Sequence, residues 1–213
     1  MSNWTFEQAH WFASDLASER NLQIILPTNP VRRAVEAGVA FAQVRLGAEL
    51  IDELMPDFKQ VSVCLPLGVN EASLVLLSDA AMATPESYAS TLAHEAVHDQ
   101  QSDRNGHFKN SWDYLTSNKE RAQREAEAYA CGLFFKMLLT GGQIDMHSAL
   151  VSLAGDTYHL NGASLSLADG ILRSHIESIN AGVCPPIEVA RWALAWMTKN
   201  APECMKWHSL TKQ

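Results

Sequence analysis

The segment Thr91–His98 contains two histidines four residues apart, with a glutamate directly after the first histidine. Residues four apart lie one turn apart on the same face of an α-helix, so His94 and His98 can bind a single metal ion. Glu95 is rotated by about 100° from His94, which places its carboxylate beside the metal and not on it. Zinc lowers the pKa of a bound water toward ~7, and Glu95 can take a proton from that water. The pattern therefore predicts Zn²⁺ as the cofactor and Glu95 as a general base.

The third metal ligand is not fixed by this helix, although a catalytic zinc usually has three ligands from the protein. An HExxHxxGxxH site needs a glycine and a further histidine, and this chain has Gln101 and Arg104 at those two positions. We therefore expect the third ligand to be a glutamate on a later helix. The helix predicted over residues 118–140 offers three of them: Glu120, Glu125 and Glu127.

Helix packing favours Glu125 over Glu127, because the two side chains point about 200° apart on the same helix. The face that carries the ligand must come close to the HExxH helix, which requires small residues one and two turns onward. The residues at those places after Glu125 are Ala128 and Gly132, whereas the residue two turns after Glu127 is Phe134. A phenylalanine would hold the two helices apart. Glu127 stays an alternative because it lies nearer to an apolar stripe on this helix.

The motif HEAVH, followed downstream by Glu125 in the setting E-x-x-A-x-x-x-G, resembles the gluzincin branch of the zinc metallopeptidases. The resemblance covers residues 84–140. It implies hydrolysis of a peptide or protein substrate with Glu95 as the general base. It also implies that the strand Ser73–Ser78 lies at a sheet edge and pairs with an extended substrate. The implied zinc ligands are His94, His98 and Glu125.

One position departs from the pattern of the family. Several gluzincin families have an aspartate four residues after the ligand glutamate, where it orients a zinc-binding histidine, and this chain has Tyr129 there. A partner for the histidines must then come from elsewhere, and Asp99 is the candidate. Tyr158 and His159 are candidates for the donor that stabilises the oxyanion, since they precede a predicted turn.

The elements that position these residues are predicted from capping residues and from hydrophobic periodicity. We expect strands over Leu22–Leu26, Gln60–Leu65 and Ser73–Ser78. We expect helices over 5–19, 30–54, 84–101, 118–140, 146–154, 164–180 and 186–199, with a polar loop at Asn105-Gly106. The order predicts an α+β fold, a mostly helical zincin-like domain with a small β-sheet beside the active-site helix. It forms one domain over 1–213, with a catalytic core over 60–140 and a helical part over 141–213.

Composition excludes several classes of function. The chain has 213 residues and a net charge of -8, which disfavours a basic face for nucleic acid. No run reaches the ~18 consecutive apolar residues of a membrane span, and the first residues do not have the pattern of a signal peptide. The cysteines are far apart and form no CxxC pair, so we expect reduced thiols and a cytoplasmic protein. They are Cys64, Cys131, Cys184 and Cys204.

Three functions are compatible with these residues. The first is a zinc-dependent peptidase. The second is a non-catalytic zinc- or peptide-binding protein on the same scaffold, and the intact Glu95 argues against it because a structural zinc needs no base. The third is a metal-dependent hydrolase of another amide or ester, which uses the same chemistry.

Overall fold

The fold is α+β, as the sequence predicts, and consists mostly of helices with a small three-stranded sheet. The structure is a computed structural model that describes residues 4–33, 62–65, 72–142, 144, 146–154, 158 and 160–207. The strands are β1 (Leu22–Ile25), β2 (Val63–Leu65) and β3 (Ser73–Leu76). The helices are α1 (Phe6–Arg20), α2 (Pro85–Asn105), α3 (His107–Thr116), α4 (Asn118–Thr140), α5 (Met146–Ala154), α6 (Gly162–Asn180) and α7 (Glu188–Asn200), followed by a 3-10 turn at Pro202–Cys204.

Capping side chains fix the starts of three helices at the predicted places. The hydroxyl of Thr5 accepts a hydrogen bond from the backbone of Gln8, whose side chain accepts one from the backbone of Thr5. Thr84 caps α2 directly before its N-terminal proline, and Ser117 caps α4. Gly141 ends α4 in the left-handed conformation. These contacts are local in sequence, which is why the sequence alone predicts them.

Helix α3 was not predicted, and it replaces the expected polar loop. Helix α2 runs past its expected end at Gln101 to Asn105, and only Gly106 separates it from α3. The backbone of Gly106 has φ +79° and ψ 131°, a conformation that favours glycine. Along α3 the large apolar residues Phe108 and Trp112 are exposed, so their spacing marks no buried face.

The sheet has the order β1-β3-β2, with β1 parallel and β2 antiparallel to β3. Strand β3 therefore lies in the middle, and the expectation that Ser73–Ser78 forms a sheet edge is wrong. Its partner β1 comes from a distant part of the chain, and three short apolar runs do not reveal which of them is central. Within the described part of the sheet, β1 and β2 are the outer strands.

Helices α2 and α4 pack against each other at very short range. A β-carbon placed on Gly132 would lie 3.0 Å from the carbonyl oxygen of Ser90 and 3.4 Å from Cβ of His94. Ala128, one turn earlier on the same face of α4, is fully buried. The two small residues thus allow the close approach that the sequence predicts, and Glu125 lies on that same face.

The opposite face of α2 is tied to α1 and β3 through a buried carboxylate. Arg20 Nη2 lies 2.9 Å from Asp99 Oδ2, and Ser73 Oγ donates to Asp99 Oδ1 at 2.6 Å. Arg20 also forms an ion pair with Asp103, one turn further on. Since one partner is on each of three elements, this network fixes α2 relative to α1 and the sheet.

The remaining predictions differ in outcome. Residues 30–33 are helical, and the rest of the predicted helix 30–54 lies outside the described residues. Helices α5, α6 and α7 begin within two residues of the predicted positions. The four cysteines are free. In the part of the chain that the structure describes, no helix combines the length and the apolar character that a bilayer crossing needs.

Replacing Gly132 by alanine tests the close contact between α2 and α4. The new β-carbon would meet a backbone carbonyl that cannot rotate away, so we expect Gly132→Ala to lower the free energy of unfolding by about 1–3 kcal/mol. The control is Gly170→Ala, because Gly170 lies within a helix with no atom within 4 Å of an added β-carbon. That change should raise the free energy of unfolding by ~0.5–1 kcal/mol. Urea denaturation measures both, and equal stabilisation by both substitutions would contradict the contact.

Candidate metal centre

Three side chains from two helices converge on one point. His94 and His98 lie one turn apart on α2, and their Nε2 atoms are 3.2 Å apart. Glu125 comes from α4, with Oε2 at 3.6 Å from His94 Nε2 and Oε1 at 3.5 Å from His98 Nε2. Within the described residues these three form a group able to hold a metal ion, with ligand atoms all within 4.8 Å of one another.

The spacing of these atoms fits a tetrahedral zinc ion. Zinc binds imidazole nitrogen and carboxylate oxygen at ~2.0–2.2 Å, so neighbouring ligands at the corners of a tetrahedron lie about 3.3 Å apart. The distance between the two histidine nitrogens is 3.2 Å, and the distances from them to the carboxylate are 3.5 and 3.6 Å, each to a different oxygen of Glu125. Glu125 Oε2 is also buried without a hydrogen-bond partner, which a cation at this point would supply. Two imidazoles and one carboxylate form a donor set that suits zinc.

Glu125 is buried and stays charged. The hydroxyl of Tyr114, on α3, donates to Glu125 Oε1 at 2.6 Å. Burial raises the pKa of Glu125, but His98, His94 and the Tyr114 hydrogen bond lower it by more, so the pKa falls below its ordinary value. The carboxylate is thus held in the ionised form that a metal requires.

Glu127 points away from the two histidines. Its Oε2 accepts a hydrogen bond from Gln101 Nε2 at 2.9 Å, and its Oε1 lies 3.0 Å from Arg104 Nη1. Of the two glutamates that the sequence leaves open, the structure therefore brings only Glu125 to the histidines. Glu120, the third glutamate considered, forms an ion pair with Arg124 instead.

Glu95 is buried beside the converging ligands. Burial raises the pKa of its carboxyl to about 7, with Glu125 adding to the rise, while His98 and a backbone hydrogen bond from Cys64 act in the opposite direction. Cys64 belongs to β2, so the side chain of Glu95 extends from α2 toward an outer strand of the described sheet. A carboxyl group with this pKa can both accept and return a proton near neutral pH.

A cleft of about 550 Å³ opens beside the metal centre, and both His94 and Glu95 line it. The ring of Tyr129 meets the ring of His94 edge-on with 4.8 Å between the centroids. The hydroxyl of Tyr129 lies 3.2 Å from that of Tyr158, which also lines the cleft. Tyr158 is therefore placed near the site as a candidate donor, whereas His159 lies outside the described residues.

The partner of His98 is Gln101, and the expectation that Asp99 takes this role is wrong. The carboxylate of Asp99 is on the other face of α2, where Arg20 and Ser73 hold it. Gln101 Oε1 lies 3.1 Å from His98 Nδ1. The spacing of three residues on a helix is a signal that could have pointed to Gln101. Tyr114 had no such signal, because its helix was not predicted.

Comparison of the chain with protein-family models, with curated proteins and with solved structures found no match. The chemistry of this centre therefore rests on the residues that form it.

The hydroxyl of Tyr114 is expected to strengthen metal binding by holding Glu125 in place. Tyr114→Phe removes that donor and frees the carboxylate to rotate, so we expect zinc affinity to fall about tenfold. Tyr88→Phe is the matched control, since it removes a hydroxyl from a tyrosine of α2 whose ring packs against His10 of α1. Zinc affinity is measured by competition with a chelator. An unchanged affinity in Tyr114→Phe would show that Glu125 does not depend on this hydrogen bond.

Proposed function

We propose that this protein is a zinc-dependent peptidase of the gluzincin type. One observation supports the proposal above all others: His94, His98 and Glu125 converge at the spacing of zinc ligands, with the carboxylate of Glu95 beside them at the cleft. A metal that only held two helices together would need no acidic group there. The free cysteines agree with a reducing compartment, so we expect the protein in the cytoplasm.

The proposed reaction divides its work between the metal and Glu95. When bound, zinc polarises the attacking water and the carbonyl group of the substrate. Glu95 takes a proton from the water onto its carboxylate and later gives that proton to the leaving amine. Its pKa of about 7 suits both steps. Tyr158, in the same cleft, is the candidate donor toward the oxygen that gains negative charge.

Strand β2 is the element on which we expect an extended peptide to bind, in place of β3. It is an outer strand of the described sheet, and the backbone of Cys64 within it contacts Glu95. Ser62, directly before β2, lines the cleft together with His94. A peptide added along β2 would form backbone hydrogen bonds while its scissile bond lies next to Glu95.

The identity of the third ligand is tested by removing each glutamate in turn. We expect Glu125→Ala to lower zinc content well below the wild-type level of about one ion per chain, because only two imidazoles remain. Glu127→Ala should keep zinc, since that side chain faces Arg104 and Gln101, and the backbone oxygen of Arg124 still accepts from the amide of Gln101. Elemental analysis after dialysis gives the answer. Loss of zinc from Glu127→Ala alone would reverse the assignment.

The role of Glu95 is tested by Glu95→Gln, which preserves the size of the side chain and removes its capacity to accept a proton. We expect peptide hydrolysis to fall by at least ~10²-fold while zinc remains bound. The measurement uses a fluorogenic peptide library with matched ester and simple amide substrates. Full activity in Glu95→Gln would disprove this mechanism. A wild-type protein that binds zinc but hydrolyses nothing would indicate the non-catalytic alternative.

A further inference from the structure

We propose that Gln101 is a positioning residue that fixes the tautomer of His98, so that the ring presents a free electron pair at Nε2 to the metal. This inference rests on the proposed zinc site. It adds a role for a residue that the HExxH motif does not contain.

The side-chain amide of Gln101 can adopt only one orientation. Its Nε2 lies 2.9 Å from Glu127 Oε2 and 3.1 Å from the backbone oxygen of Arg124, and both of these atoms only accept hydrogen bonds. If the amide were turned over, its oxygen would face two other oxygens. Gln101 is buried, so water cannot relieve that repulsion.

The orientation of this amide decides where the proton of His98 lies. Because Nε2 of Gln101 donates to Glu127 and to the backbone of Arg124, the side-chain oxygen of Gln101 faces His98 Nδ1 at 3.1 Å. An amide oxygen accepts hydrogen bonds, so His98 must donate from Nδ1. In a neutral imidazole the other nitrogen then has no proton. That nitrogen, Nε2, is the atom that faces Glu125 and His94.

The acceptor of the Gln101 amide, Glu127, also belongs to an ion pair. Glu127 Oε1 lies 3.0 Å from Arg104 Nη1, while its Oε2 accepts from Gln101. Successive hydrogen bonds thus connect a partly exposed charge to the candidate metal centre. They run from Arg104 through Glu127 and Gln101 to His98. Glu127, which the sequence offers as a rival ligand, acts here through Gln101.

The first test measures the tautomer of His98 in the metal-free wild type, at a pH above any transition observed in the ring ¹⁵N signals of His98 itself. Long-range ¹H–¹⁵N correlation spectra distinguish a protonated from an unprotonated ring nitrogen, and His98→Ala identifies the signals. We expect the proton on Nδ1. A dominant Nε2–H tautomer would overturn the proposal. This readout needs no metal, so it decides the role of Gln101 even if the protein binds no zinc and the proposed function fails.

The second test compares two leucine variants of neighbouring glutamines. Gln101→Leu removes the acceptor of His98, and we expect zinc to bind about 10–100-fold more weakly, with mixed tautomers at His98 in the metal-free form. Gln100→Leu is the control, because Gln100 is equally buried on α2 but its oxygen accepts from the backbone of Val189. The zinc affinity of Gln100→Leu should stay within about twofold of the wild-type value, even if the variant is less stable.

Two further outcomes bear on the proposal. Zinc affinity within about twofold of wild type in a folded Gln101→Leu would overturn it. Equal loss of affinity in both variants would show that a buried glutamine on α2 matters only for stability, and would also overturn it. If Gln101→Leu does not fold, the tautomer of His98 in the wild-type protein still decides whether the proposal holds.

Discussion

The separation between α2 and α4 is the constraint on which the candidate metal centre depends. At Gly132 there is no room for a β-carbon, because the carbonyl oxygen of Ser90 and the β-carbon of His94 are already in contact distance. This close packing lets the short side chain of Glu125 reach both imidazoles from a neighbouring helix. A wider spacing would leave the buried carboxylate with Tyr114 but without the two imidazoles, which costs far more than a solvated charge.

The two acidic groups of the centre are both buried but differ in their pKa. Glu125 faces two imidazoles and a phenol, and these contacts keep its pKa low despite the loss of solvent. Glu95 has fewer such partners and lies close to Glu125, so burial dominates and its pKa rises to about 7. One carboxylate is thereby suited to hold a cation and the other to exchange a proton. The protein sets this difference by the neighbours of each group and not by its exposure.

Much of this arrangement could be predicted because it follows from neighbours along one helix. The pairing of His94 with His98 and the small face beyond Glu125 are patterns with a period of one turn. The central position of β3 could not be predicted, since β1 pairs with it from a distant part of the chain. Helix α3 was missed although Phe108, Trp112 and Leu115 have the spacing of one helix face, because Asn105-Gly106 indicated a loop. Gln101 is an intermediate case. Its spacing of three residues from His98 can be seen in the sequence, but its hydrogen-bond partners on α4 cannot.

Gly106 has a consequence that reaches well beyond its own position. It is the only residue between α2, which carries both histidines, and α3, which carries Tyr114. Its positive φ sets the direction in which α3 leaves α2, and there is open space around it, so a larger side chain would meet no obstacle except the torsional preference of its own backbone. The backbone torsion angles of one exposed glycine thus govern whether a phenol about two turns away reaches the carboxylate in the interior.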